Sequence, residues 1–153
     1  MKRNGAGWQP ERPFLPLPLS VMESAAWNTL VIDHPHATRL ILFLVREWTR
    51  HKGQKNGFLF APRRQLLQFG IGAHFISKAI IEAERLGLID VTHGAGRAPN
   101  RYALTWLPIN GETEPSNRWQ HYQEENRCKI VKFATSASRS STIGALVLAP
   151  PAH

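Results

Sequence analysis

Side chains able to do acid–base, metal or nucleophilic chemistry are few in this sequence and poorly grouped. His34 and His36 form an H-x-H pair, a spacing that lets two imidazoles approach one metal ion. They stand beside Asp33 and Pro35 where a helix is expected to begin, and no further ligand set accompanies them, so helix capping is the expected role. Glu82 and Glu84 fall on a predicted helix surface with Arg85 alongside, which is not the arrangement of a general acid and base. Gly94 and Gly96 do not lead from a strand into a helix and make no dinucleotide fingerprint. Cys128 is the one cysteine, on a polar segment near His121, so neither an internal disulfide nor a cysteine zinc cluster is available within the chain. We expect no enzyme activity, no cofactor and no metal.

Positive charge is what the sequence supplies instead. Its 153 residues carry a formal net charge of +8 and a pI near 10.4, which favours a polyanionic partner, nucleic acid being the commonest. The charge is concentrated. Between Arg46 and Arg101 there are ten basic residues (Arg46, Arg50, Lys52, Lys55, Arg63, Arg64, Lys78, Arg85, Arg97, Arg101) and four acidic ones (Glu47, Glu82, Glu84, Asp90), so ten minus four places +6 of the +8 in one central stretch.

The elements that must position these cations follow from periodicity and turn chemistry. Residues 1–19 read as an extended arm, since Pro10, Pro13, Pro16 and Pro18 disfavour helix. Ser20-Val21-Met22-Glu23 has the form of a capping box and predicts a helix to about Leu30, with Val21, Ala25 and Trp27 inward. Pro35 suits the first turn of a second helix, in which Ala37, Leu40, Ile41, Leu44 and Trp48 recur at helical spacing. Leu42, Phe43 and Val45 widen that stripe, and Arg39, Arg46 and Arg50 are left for the exposed face. Phe58–Phe60 suits a short strand. Pro62 opens a third helix, Gly70-Ile71-Gly72 breaks it, and a fourth runs from Ala73 to Leu86, with Ile76, Ala79, Ile80, Ala83 and Leu86 on its buried face and Gly87 ending it. Strands are expected over 88–92 and 101–107. Residues 109–133 read as a linker and a polar helix from Asn117, with Trp119 and Tyr122 turned inward. Residues 134–153 read as a disordered tail in which Ile143–Leu148 could form a strand. The fold class expected is mainly α with a small β-hairpin, α+β.

Helix, glycine break, helix and hairpin occur in that order. The run Leu66, Phe69-Gly70-Ile71-Gly72, Ile76, Ala79-Ile80, Leu86-Gly87-Leu88-Ile89 resembles the bacterial winged helix-turn-helix DNA-binding family over about a third of the chain. The resemblance implies a winged-helix domain over 20–108. In it a positioning helix precedes the glycine turn, a recognition helix follows, Ala79 allows the two to pack closely, and the hairpin is the wing. His74, Ser77 and Lys78 on the second helix then face the major groove. Arg63 and Arg64 start the positioning helix, Arg97 sits at the wing tip and Arg101 at its base, all suited to phosphate or a narrow minor groove. Gly72 and Ala73 stand where many members carry a serine or threonine and then an arginine, which shifts the expected balance from base reading toward shape and backbone contacts. Pro16-Leu17-Pro18, Asn56-Gly57 and Tyr102–Pro108 followed by Asn117-Arg118-Trp119 resemble, more narrowly, small helix-turn-helix proteins of bacterial phages and mobile elements.

The expected partner is double-stranded DNA, and the expected role is transcriptional regulation. Replication or partition of a mobile element and a winged-helix protein-interaction module are the alternatives. RNA ranks lower, because most aromatics are expected to be buried rather than free to stack. The width of the Leu40–Trp48 stripe suggests a homodimer. The basic start has no apolar run behind it and the longest apolar run is Leu40–Val45, so no signal peptide, no membrane span and a cytoplasmic location are expected.

Overall fold

The computed structural model describes residues 14–123. The capping box expected at Ser20–Glu23 does not form. Helix α1 (Leu19–Met22) starts directly after Pro18 with no side-chain cap. The working cap is Ser24, whose backbone is extended (φ −71°, ψ 153°) and whose Oγ accepts the Trp27 N–H at 3.1 Å to open α2 (Ala25–Asp33). The same hydroxyl donates to the Val21 carbonyl at 2.6 Å, so one serine ends α1 and begins α2. The single helix expected over this stretch is therefore two. Val21 and Trp27 are buried, as is Ala26, while Ala25 is only partly covered.

Helix α3 (Pro35–Arg50) is the centre of the described domain and packs against α2 and against α5 (Ile76–Arg85). Leu40, Ile41, Phe43, Leu44 and Val45 are all fully buried within the one chain. The wide stripe that suggested a dimer surface is thus consumed by the molecule's own core. Only Leu42 and Trp48 of that run stay half-buried.

Helix α4 (Arg63–Gln68) and α5 end in the same way. Gly70 (φ +91°) follows α4, with Gly70 N–H donating to the Leu67 carbonyl and Ile71 N–H to that of Leu66, both at 3.1 Å. Gly87 (φ +76°) follows α5, with Gly87 N–H donating to Glu84 at 2.9 Å and Leu88 N–H to Ala83 at 3.1 Å. These are Schellman closures. The left-handed residue is glycine because it has no Cβ to clash, and the next residue, Ile71 or Leu88, turns into the core. A single 3₁₀ turn, Ala73–Phe75, leads into α5. Ile76, Ala79, Ala83 and Leu86 are buried and Ile80 is partly covered, as the spacing predicts.

Strands β1 (Ile89–Thr92) and β2 (Arg101–Leu104) form an antiparallel hairpin with Ile89 opposite Leu104 and Thr92 opposite Arg101. Leu59 forms a bridge with Tyr102, exchanging hydrogen bonds at 3.0 and 3.3 Å, so the expected strand at Phe58–Phe60 is reduced to one paired residue. The second strand stops at Leu104 rather than Leu107. Thr105 Oγ1 donates to the Gly87 carbonyl at 2.8 Å, and the chain turns there. The domain is mainly helical with a two-stranded hairpin, an α+β arrangement. Among the described residues no helix is long and apolar enough to cross a membrane.

From Pro108 to Tyr122 the chain stays on the domain. Asn110 (φ +51°) and Gly111 (φ +75°) make a tight turn of type I′ sign that pairs Ile109 with Thr113. The helix expected from Asn117 is a single 3₁₀ turn, Arg118–His121, although Trp119 is buried and Tyr122 packs on the core as expected. The remainder of that predicted helix, Cys128, the predicted tail and the first thirteen residues of the arm lie outside the described residues.

Candidate nucleic-acid interface

The seven predicted contact residues are all exposed, but the structure does not gather them at one point. At about 100° per residue, Ser77, Lys78 and Ile81 span the outer face of α5, opposite the buried Ile76, Ala79 and Ala83, and all three are exposed. His74 lies in the 3₁₀ turn before them. On one flank of α5, a cleft of about 370 Å³ is lined by Phe60, Arg63, Ile80, Pro99, Asn100 and Tyr102 among others. It brings the start of α4, the middle of α5 and the hairpin together. On the other flank, Lys78 lines a depression of about 270 Å³ with Asp33, His34, His36 and Glu82, at the start of α3. Lys78 therefore works in acidic company that its position in the sequence did not reveal. Arg64 is exposed beside Arg63 in the first turn of α4, and Arg97 is exposed in the connection between β1 and β2.

Ion pairing sorts the central charge. Arg46 and Arg50 both reach Glu47 at 3.3 Å, and Arg85 reaches Glu82 at 2.8 Å. Hydrogen bonding to Glu82, opposed in part by burial, holds the Arg85 guanidinium above its ordinary pKa. Asp90 is taken by Arg118 at 2.8 Å. Removing Arg46, Arg50 and Arg85 from the ten leaves seven cations with no ion pair among the described residues: Lys52, Lys55, Arg63, Arg64, Lys78, Arg97 and Arg101. Of the four acids in the same stretch only Glu84 is left without an ion pair among the described residues. All five cations named from the sequence are in the unpaired set.

Several roles were not legible beforehand. Arg39 and Arg46, expected on the open face of α3, are structural. Arg39 donates to the Gly70 carbonyl at 2.6 Å, and Arg46 lies over the rings of Phe43 (4.7 Å) and Phe69 (4.8 Å). They tie α3 to the turn between α4 and α5. His34 occupies the α3 cap position, but its imidazole makes no capping bond. It points to Glu82 at 3.4 Å, while His36 stacks on Phe75 with centroids 4.3 Å apart. Among the described residues no group of three His, Cys, Asp or Glu side chains is placed to hold a metal ion.

The aromatics depart most from expectation. Phe58, Phe60 and Phe75 are exposed by 43%, 46% and 47%, beside the unpaired cations rather than in the core. The Arg101 guanidinium lies 5.3 Å from the Phe58 ring centroid. The signal was present in Phe58-Leu59-Phe60. With Leu59 buried and bridged to Tyr102, the period of two turns both phenylalanines outward.

No protein-family model, no curated protein and no solved structure matches this chain.

Proposed function

We propose that this chain binds double-stranded DNA as a winged helix-turn-helix protein and serves as a transcriptional regulator. In this role α4 is the positioning helix, α5 the recognition helix and the β1–β2 hairpin the wing. The observation that supports it best is the sorting of charge. Arg63, Arg64, Lys78, Arg97 and Arg101 have no ion pair among the described residues, whereas Arg46 and Arg50 on α3 share Glu47 and Arg85 on α5 is held by Glu82. An exposed helix can enter the major groove, and the outer face of α5 offers Ser77 and Lys78 there. Arg63 and Arg64 on one side, and Arg97 and Arg101 on the hairpin, suit phosphate contacts that fix register without reading sequence. With only Lys78, His74 and Ser77 as polar readers, shape and backbone contacts carry much of the selectivity.

The test is selection of bound fragments from random duplex DNA with the full chain, followed by titration of the selected site and a scrambled duplex. Lys78→Ala is expected to weaken the selected site by roughly 1–3 kcal/mol and the scrambled duplex less. Failure to enrich any sequence removes the regulatory role. Equal losses on both duplexes reassign Lys78 to phosphate.

A further inference from the structure

Resting on the DNA-binding proposal above, we infer that the cleft beside Phe60 takes an unpaired DNA base, so that DNA carrying unstacked bases is the preferred partner. A base inside a duplex shows its neighbours its faces and the solvent only its edges. An exposed aromatic ring therefore has nothing to stack on in a perfect duplex, whereas an unpaired base presents a whole π-face. Phe58 and Phe60 are such rings, two residues apart on one face of an extended segment whose middle residue, Leu59, is pinned to Tyr102 by two hydrogen bonds. In that register Arg101 stands opposite Phe60 and reaches diagonally over Phe58.

The cleft adjoins this platform. Its volume of about 370 Å³ lies within the range of small-ligand sites. Phe60, Ile76, Ile80 and Tyr102 make its walls apolar, and among the described residues no acidic one lines it. Two polar groups converge on it. Arg63 brings an unpaired guanidinium suited to the phosphate of an extruded nucleotide. Asn100 brings an amide whose Oδ1 is fixed by the Gly94 N–H at 3.2 Å and whose NH₂ gives one hydrogen to the Tyr102 phenol, leaving the second for a base edge. Apolar walls, exposed rings, free cations and the absence of lining acids together fit a nucleobase on a polyanionic chain better than an apolar or cationic partner.

The experiment uses the full chain, three DNAs of related sequence (a perfect duplex, the same duplex with a few central mismatched bases, and the single strand, with 2-aminopurine at an unpaired position) and the RNA strand matching the single-stranded DNA. The expected result is tighter binding of the mismatched duplex than of the perfect one, with quenching of 2-aminopurine. Phe60→Ala is expected to remove about 5- to 150-fold of affinity for the mismatched duplex, the equivalent of one lost base–aromatic stack, and to leave perfect-duplex binding unchanged. Phe58→Ala, on the same face but outside the cleft, is an independent second variant, and thermal melting confirms that both are folded. Equal wild-type affinity for perfect and mismatched duplexes, or retention of the gain in both folded variants, overturns the inference while leaving duplex binding standing. Tighter binding of the matching RNA strand than of the DNA strand reassigns the cleft to RNA. Binding to none of these nucleic acids removes the duplex proposal together with this one.

Discussion

Asn56 is the side chain on which the base of the hairpin depends most. It is 1% exposed, its Oδ1 accepts the Leu104 N–H at 2.7 Å, and its Nδ2 donates to the carbonyls of Leu104 and Leu107 at 2.9 Å and of Pro108 at 3.3 Å. Asn56→Ala strands the Leu104 N–H in the core, where the residue is 1% exposed. One orphaned buried donor costs about 1–3 kcal/mol, and the abandoned carbonyls bring the total to roughly 2–4 kcal/mol, a large share of the ~5–15 kcal/mol that holds a domain together. Asn56→Asp separates geometry from electrostatics. It keeps the acceptor for Leu104 but points a carboxylate at three carbonyls. Burial and these dipoles push the introduced carboxyl above its ordinary value of about 3.9. A carboxyl raised in the folded state contributes its stability below the unfolded pKa and loses it as pH rises through the folded one. Urea unfolding followed by circular dichroism should therefore show a deficit for Asn56→Asp that is large at neutral pH and shrinks toward pH 4, while that of Asn56→Ala stays constant relative to wild type. A deficit for Asn56→Asp that does not shrink on acidification would refute the hydrogen-bond assignment.

Gly87→Ala should lower the melting temperature more than Gly70→Ala. Both positions have positive φ, but a Cβ at Gly87 falls 2.7 Å from the Arg118 carbonyl carbon, whereas at Gly70 the nearest atom is the flexible Arg39 guanidinium at 3.7 Å. Each carries about 1–2 kcal/mol of left-handed strain, and only Gly87→Ala must also displace the backbone at Arg118–Trp119. Burial pushes the Tyr102 phenol above its ordinary 10.0, with a hydrogen bond from Asn100 partly opposing. The phenol's contribution is thus complete below about pH 10 and lost as pH climbs through the raised value. Chemical unfolding along an alkaline series should show that loss in wild type and a flatter limb in Tyr102→Phe.

How far the sequence was readable varied with the range of the interactions involved. Helices α3 and α5 and the glycine closures of α4 and α5 were legible, because a 3.6-residue apolar period and a glycine after the last turn are local signals that tertiary packing reinforced. The first helix was misread, since Ser20 and Ser24 both offer a hydroxyl and only the extended backbone at Ser24 decides which one caps. The strand ends and the described beginning of the Asn117 helix were misjudged because long-range bonds set them: Thr105 to Gly87, Asn56 to Leu104, and Arg118 to Asp90. The site was legible as a list of exposed cations. Its division between two flanks of α5, the acids around Lys78 and the loss of Arg39 and Arg46 to structural roles depend on contacts distant in sequence. The exposure of Phe58 and Phe60 was in principle readable from strand alternation, but aromatic character alone argued for burial.

Duplex binding across a salt series most directly tests whether the unpaired cations form a DNA-binding face. Fluorescence anisotropy with wild type and four single variants, Arg63→Ala, Arg64→Ala, Arg97→Ala and Arg50→Ala, gives the slope of log affinity against log salt. Each of the first three is predicted to reduce that slope by about 0.9, one phosphate contact apiece. Arg50, held by Glu47 at 3.3 Å, is predicted to leave it unchanged. Binding that ignores salt, or equal changes in all four variants, would contradict a DNA face built from α4, α5 and the hairpin.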